Sequence, residues 1–122
     1  MENKLHPIGT LGNIIPNIAT MLNRNFEQWS EKIVFQSKQD EKYQGISWKD
    51  LYNNILNISF NLKQYGFSAG DKMVIFSPNR LEMLELELAV MASGGISVPI
   101  FAYFNADTAK LLIEHSDAKF LA

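Results

Sequence analysis

The chain has 122 residues, a net charge of −2 and no cysteine. At 47% hydrophobic and 20% charged it can bury the core of one domain, which excludes disorder by composition. A near-neutral balance without a Lys/Arg run speaks against a nucleic-acid role, and the lack of cysteine excludes disulfides, thiolate metal sites and cysteine catalysis.

A cysteine-free chain suits a reducing compartment, so the cytoplasm is the expected location. No apolar run reaches the roughly 18 residues of a membrane helix. The stretch from Ile8 to Leu22 has the apolar character of a secretory signal, but Gly9, Thr10, Gly12, Asn13, Pro16 and Asn17 interrupt it.

Residues 1–15 show no secondary-structure period and read as an N-terminal arm. From Pro16, a favourable first-turn residue, the spacing of Ile18, Met21, Leu22, Phe26 and Trp29 predicts a helix with one apolar face. Ile33-Val34-Phe35 is a short strand. Residues 37–42 suit a hairpin tip, and Tyr43 to Ile46 return as its partner, weakened by Gly45.

Ser47 is a good N-cap with Asp50 three positions on. The helix it opens, to about Tyr65, carries Trp48, Leu51, Tyr52, Ile55, Leu56, Ser59 and Leu62 on one face. Asn53, Asn54, Asn57 and Asn61 fall on the other, where truncation should cost little. Gly66 ends it as a left-handed cap, and Ser68 to Asp71 form a turn.

Lys72 to Phe76 is continuously apolar after its lysine, the mark of a strand covered on both faces. Ser77 or Asn79 is expected to cap the next helix. Leu81, Leu84, Leu88 and Met91 make one of its faces, and Met83, Leu86 and Val90 most of another. Glu82, Glu85 and Glu87 are expected to reach water. Gly94 or Gly95 closes it, and Ile96 to Phe101 is a strand that, because of Pro99, should lie at an edge or be near its own end there.

Asn105 or Asp107 caps a further helix, to about His115, and Lys119 to Ala122 begin another strand. Strand, helix, strand, helix, strand means two crossover units. The fold class is therefore α/β, a partial open sheet of parallel strands with crossover helices, preceded by a helix–hairpin–helix segment.

Ligands of such sheets sit beyond the carboxyl ends of the strands. The turn Ser77-Pro78-Asn79-Arg80 lies there, but it lacks the glycines that a phosphate cradle needs, so capping is its expected role. His6 lies in the arm. His115, Glu114 and Asp117 read as a solvated helix end rather than a metal corner, because adjacent helical residues diverge. The three glutamates read as a solvated rim, not an acid/base pair. Gly94-Gly95 is a helix stop, not a nucleotide loop. Trp29 and Trp48 read as core anchors.

The order of these features resembles the opening of the adenylate-forming enzymes: acyl-CoA synthetases, nonribosomal-peptide adenylation domains and firefly-type luciferases. The pieces are Ser47-Trp48-Lys49-Asp50-Leu51, the turn from Gly66 to Asp71, Ser77-Pro78-Asn79-Arg80, Ala92-Ser93-Gly94-Gly95-Ile96 with Val98-Pro99-Ile100, and the run from Leu111 to Ala122. Each is weak alone; in this order, over residues 14–122, they are specific. Trp48, Asn79-Arg80 and Pro99-Ile100 lean toward long-chain fatty-acid–CoA ligases.

The resemblance implies activation of a fatty acid with ATP and Mg²⁺ to an acyl-adenylate, then transfer to CoA. The family's phosphate loop and catalytic elements lie downstream of this region. It therefore implies no catalytic, cofactor-binding or metal residue here, and makes residues 16–122 the front of an AMP-binding domain, inactive alone and truncated inside a strand. An apolar helix and an uncovered last strand would make such a chain self-associate, unless Leu5, Ile8, Leu11 and Ile14 of the arm fold over the exposed face. A self-contained flavodoxin-like binding or regulatory module is the alternative.

Overall fold

The computed structural model describes residues 15–122. The expected arm, save Ile15, and His6 with it lie outside the described residues.

Helix α1 spans Ile18–Trp29. Its cap is Asn17, whose side chain accepts from the Thr20 amide at 2.8 Å, so Pro16 precedes the helix instead of opening it. Strands β1 (Ile33–Gln39) and β2 (Lys42–Ser47) form an antiparallel hairpin, longer than the spacing predicted. The polar residues 37–39 pair in the ladder because backbone hydrogen bonds need no apolar alternation on an exposed ribbon. The tip narrows to Asp40 and Glu41, with φ of 47° and 64°. Two left-handed residues in succession match the twist of a two-residue hairpin loop.

Helix α2 is Trp48–Gln64, capped by Ser47 as expected: its Oγ accepts from the Asp50 amide at 3.1 Å. Leu51, Ile55 and Leu62 are buried, but Leu56 is half-exposed, and Ile58 packs against the core. The helix ends at Gly66 with φ 85°. Gly66 N–H donates to Lys63 at 3.0 Å and Phe67 N–H to Leu62 at 2.9 Å. This paired closure satisfies the last carbonyls and needs a residue without Cβ strain. Gly94 closes the next helix with the same pair of bonds.

Strand β3 (Lys72–Ser77), helix α3 (Leu81–Ala92), strand β4 (Ile96–Phe101), helix α4 (Ala106–Ser116) and strand β5 (Phe120–Leu121) follow. The sheet is parallel, in the order β4-β3-β5. As predicted, Pro99 sits on an edge strand, and β3 is central with Met73, Val74 and Ile75 buried.

Because β3 lies between the other two strands, the crossovers run in opposite directions across it. Two crossovers of one hand then cover opposite faces. Met73 and Ile75 join a core shared with α1, α2 and α3. The alternate residues of β3 face α4, where Lys72 Nζ donates to the Ser116 carbonyl at 2.9 Å and Val74 is fully buried.

Two core expectations are corrected. Trp29 does not anchor the core; it is 37% exposed, with Lys32 Nζ 5.6 Å and the Arg24 guanidinium 5.9 Å from its ring. Trp48 does pack against the core, half-buried. Glu85 does not reach water: it is 7% exposed, and Asn54 Nδ2 donates to its Oε1 at 2.8 Å. A buried carboxylate needs such a donor, so Asn54 is not the idle surface residue that its position in an asparagine stripe suggests.

Candidate functional site

Adjacent strands β3 and β4 send their following helices to opposite faces, which opens a crevice at their carboxyl ends. The structure has a cavity of about 320 Å³ there, lined by Ser77-Pro78-Asn79 and Met83 on one side and by Pro99 to Tyr103 on the other. The turn singled out from sequence thus forms one wall. The other wall carries two exposed rings, Phe101 at 73% and Tyr103 at 90%; Phe104, beside the cavity, lies tilted against Phe101 with 5.9 Å between ring centres.

Neither Ser77 nor Asn79 caps α3, contrary to expectation. Ser77 Oγ donates to the Pro78 carbonyl at 3.0 Å. Arg80 takes the cap position through its extended backbone and makes no side-chain cap bond. Its guanidinium instead grips Glu82 through two bonds of 2.8 and 2.7 Å. This pair, with the Glu82 backbone amide, lowers the Glu82 carboxyl to about 2. Glu82 is therefore the anion at the positive end of α3, and Arg80 is already matched by it.

The other glutamates separate. Glu85 is buried on Asn54, and Glu87 is half-buried with Ser97 Oγ donating to it at 3.4 Å. They do not form a common rim. At the far end of α4, Glu114 is 3.8 Å from Lys110, and Asp117 turns the backbone through φ 55°. Gly94-Gly95 closes α3, as read from sequence, and its tightness is structural: a Cβ on Gly95 would come within 2.3 Å of the Phe67 ring.

At the amino end of the sheet Asp71 is more than the turn residue that its sequence suggests. It accepts from the Ser68 amide at 2.9 Å and from Lys119 Nζ at 3.2 Å, and these hold its carboxyl below the usual range. The pairing ties the entry of β3 to β5 across 48 positions of sequence, which no local spacing could reveal.

No charged side chain lines the crevice at the strand ends. A triphosphate would find no cation in it and a divalent metal no carboxylate. Among the described residues no group of three or more His, Cys, Asp or Glu is placed to hold a metal ion. The crevice does not fit ATP and Mg²⁺. It fits an apolar surface.

A profile of the AMP-binding enzyme family matches residues 22–122. The chain belongs to the AMP-binding enzyme family. Among curated members, a long-chain-fatty-acid–CoA ligase of Mycobacterium bovis is 28% identical over 102 residues, 84% of this chain and 17% of that protein. The 4-hydroxybutyrate–CoA ligase 2 of Metallosphaera sedula is 34% identical over 83 residues, 68% of this chain and 15% of its relative. The chain thus spans about a sixth of the length of these AMP-binding relatives.

Among solved structures, the fatty acyl-adenylate ligase of L. pneumophila, in complex with acyl adenylate and pyrophosphate, superposes with a TM-score of 0.80. It is 17% identical, and the match covers 86% of this chain and 19% of that one. The N-terminal subdomain of Klebsiella oxytoca NpsA gives 0.79 at 15% identity, covering 88% and 27%. At these identities the likeness is one of fold: an α/β arrangement shared with N-terminal subdomains of AMP-binding enzymes. No helix among the described residues is long and apolar enough to cross a membrane.

Proposed function

We propose that this chain is the front part of an AMP-forming acyl-CoA ligase, with a long-chain fatty acid as substrate. The family match over residues 22–122 carries the reading. The fatty-acid assignment is supported by the mycobacterial relative and by Trp48, Asn79-Arg80 and Pro99-Ile100. In the reaction a carboxylate oxygen attacks the α-phosphorus of ATP. Acyl-adenylate forms and pyrophosphate leaves; the CoA thiol then displaces AMP and loses its proton.

Residues 16–122 act in this reading as one portion of an AMP-binding domain, with residues 1–15 as an arm. The described residues supply a scaffold and carry no catalytic, cofactor-binding or metal-binding role. ATP, Mg²⁺ and CoA are held by the family's downstream motifs, so the segment alone is inactive. A cytoplasmic location and self-association of the isolated chain belong to the same proposal. A flavodoxin-like module draws no support from the uncharged crevice.

The gene beyond the codon for Ala122 tests this. An open frame should encode a Ser/Thr/Gly-rich loop within about a hundred codons, and its longer product should form acyl-CoA from palmitate, ATP and CoA. A longer product that contains such a loop but activates no fatty acid of any chain length would sink the substrate assignment.

A further inference from the structure

The crevice between the carboxyl ends of β3 and β4 is graded from floor to rim. Ile100 at its floor is buried, Met83 and Ala102 on its flanks are half-buried, and Phe101 and Tyr103 at its rim are exposed. Its volume of about 320 Å³ stands at the small end of the roughly 300–1,000 Å³ of ligand pockets.

What the crevice offers a ligand is almost wholly apolar. Pro78 and Pro99 remove two backbone N–H donors from its walls. Ser77 Oγ is spent on the Pro78 carbonyl at 3.0 Å, and Asn79 and the Tyr103 hydroxyl belong to the exposed rim. Arg80 follows this lining in sequence, but Glu82 holds its guanidinium at 2.7 and 2.8 Å, so it brings no free cation to an anionic head. A carboxylate, a phosphate or a peptide backbone would give up its water there without an equal partner. An unbranched alkyl chain gives up nothing polar, gains from each methylene that it buries, and suits the flexible thioether of Met83. Two prolines stiffen the walls, so little order is lost on binding.

We propose, on the basis of the fatty-acid–CoA ligase reading, that this crevice seats the alkyl tail of the fatty acid, with the carboxyl left outside for the parts of the enzyme that activate it. Binding is read on the 122-residue chain. Stearate carrying a nitroxide at its methyl end should broaden the methyl signals of Met83, Ile100 and Ala102. It should leave unchanged those of Leu56, in the apolar groove beside α2. From octanoate to decanoate to laurate, each step should tighten binding about tenfold. Dodecanol should bind as tightly as laurate, because no cation meets the head. Ala102→Trp, which fills the crevice, should weaken laurate about tenfold, and Phe60→Ser, in the groove beside α2, should not. Broadening at Leu56 instead, affinity that ignores chain length, laurate bound far tighter than dodecanol, or no binding at all would overturn the proposal. Palmitoyl-CoA formation by the longer product scores the ligase reading separately. An active longer product with no binding here strikes the crevice alone. A longer product that activates no fatty acid strikes the ligase reading, and the substrate role with it, even where the tail binds.

Discussion

Asn54 and Glu85 show how a single contact changes the meaning of a residue. Asn54→Ala would leave the buried Glu85 carboxylate without its donor, at an expected cost of about 1–3 kcal/mol. Asn61→Ala, on the exposed side of the same helix, should stay within about 0.5 kcal/mol. Urea melts at neutral pH compare them; equal, small losses would mean that Glu85 finds water or another donor. Glu82 makes a pH prediction. Its folded value of about 2 lies below the ordinary 4.5, so its contribution is complete above 4.5 and is lost as pH falls from there through about 2. The pair is exposed, so salt should weaken the effect. Glu82→Gln should flatten the acid limb of the stability curve, and an unchanged limb would show that the Arg80 pair adds nothing to folding. Glu82 lies in the first turn of α3 and reaches water, as expected of it. Its pairing with Arg80, at a helix start that neither Ser77 nor Asn79 caps, depends on side-chain geometry that spacing does not reveal.

At the scale of elements, legibility followed the locality of the cause. The bounds of α2 and the glycine stops of α2 and α3 come from the Ser47 cap and φ requirements, and the missing Pro99 donor suits β4 to an edge, all local. The hairpin was underestimated because β1 and β2 are held by backbone pairing with exposed side chains, which leaves little periodicity to read. Trp29 misled for a related reason: a helical stripe gives the face but not where the neighbouring element stops covering it. Leu51→Ala and Ile55→Ala should each cost about 2–5 kcal/mol, since both side chains are buried between helices. Gly66→Ala strains a left-handed residue in open space, at about 1–2 kcal/mol. Gly95→Ala instead drives a methyl into Phe67 and should cost about 1–3 kcal/mol. Moving the ring with Phe67→Leu in the same chain should relieve the second loss and leave the first; thermal melts that show no such rescue would contradict the packing account.

For the whole molecule, the sheet order β4-β3-β5 produces the crevice at the strand ends, and the sequence supplied the crossovers but not the order. Strand order depends on which edge accepts each returning strand, a long-range choice. The expected exposure of α3 was overstated, because α1, α2 and β3 share a core with its buried Leu88, Ala89 and Val90. Phe101, Tyr103 and Phe104 form an exposed aromatic patch just past the carboxyl end of β4. A chain spanning a sixth of its relatives' length should associate through it. Light scattering should give a dimer for the parent chain and a monomer for Phe101→Asp with Tyr103→Asp; a parent monomer at high concentration would show that the patch is tolerated in water. In the proposed function this segment belongs to an adenylate-forming enzyme but holds none of its chemistry. Fatty-acid-dependent exchange of labelled pyrophosphate into ATP tests that proposal. Purified chain of residues 1–122 should show none above a no-protein blank, with palmitate and Mg²⁺ present; exchange that follows the chain through purification and disappears with its removal would contradict the account.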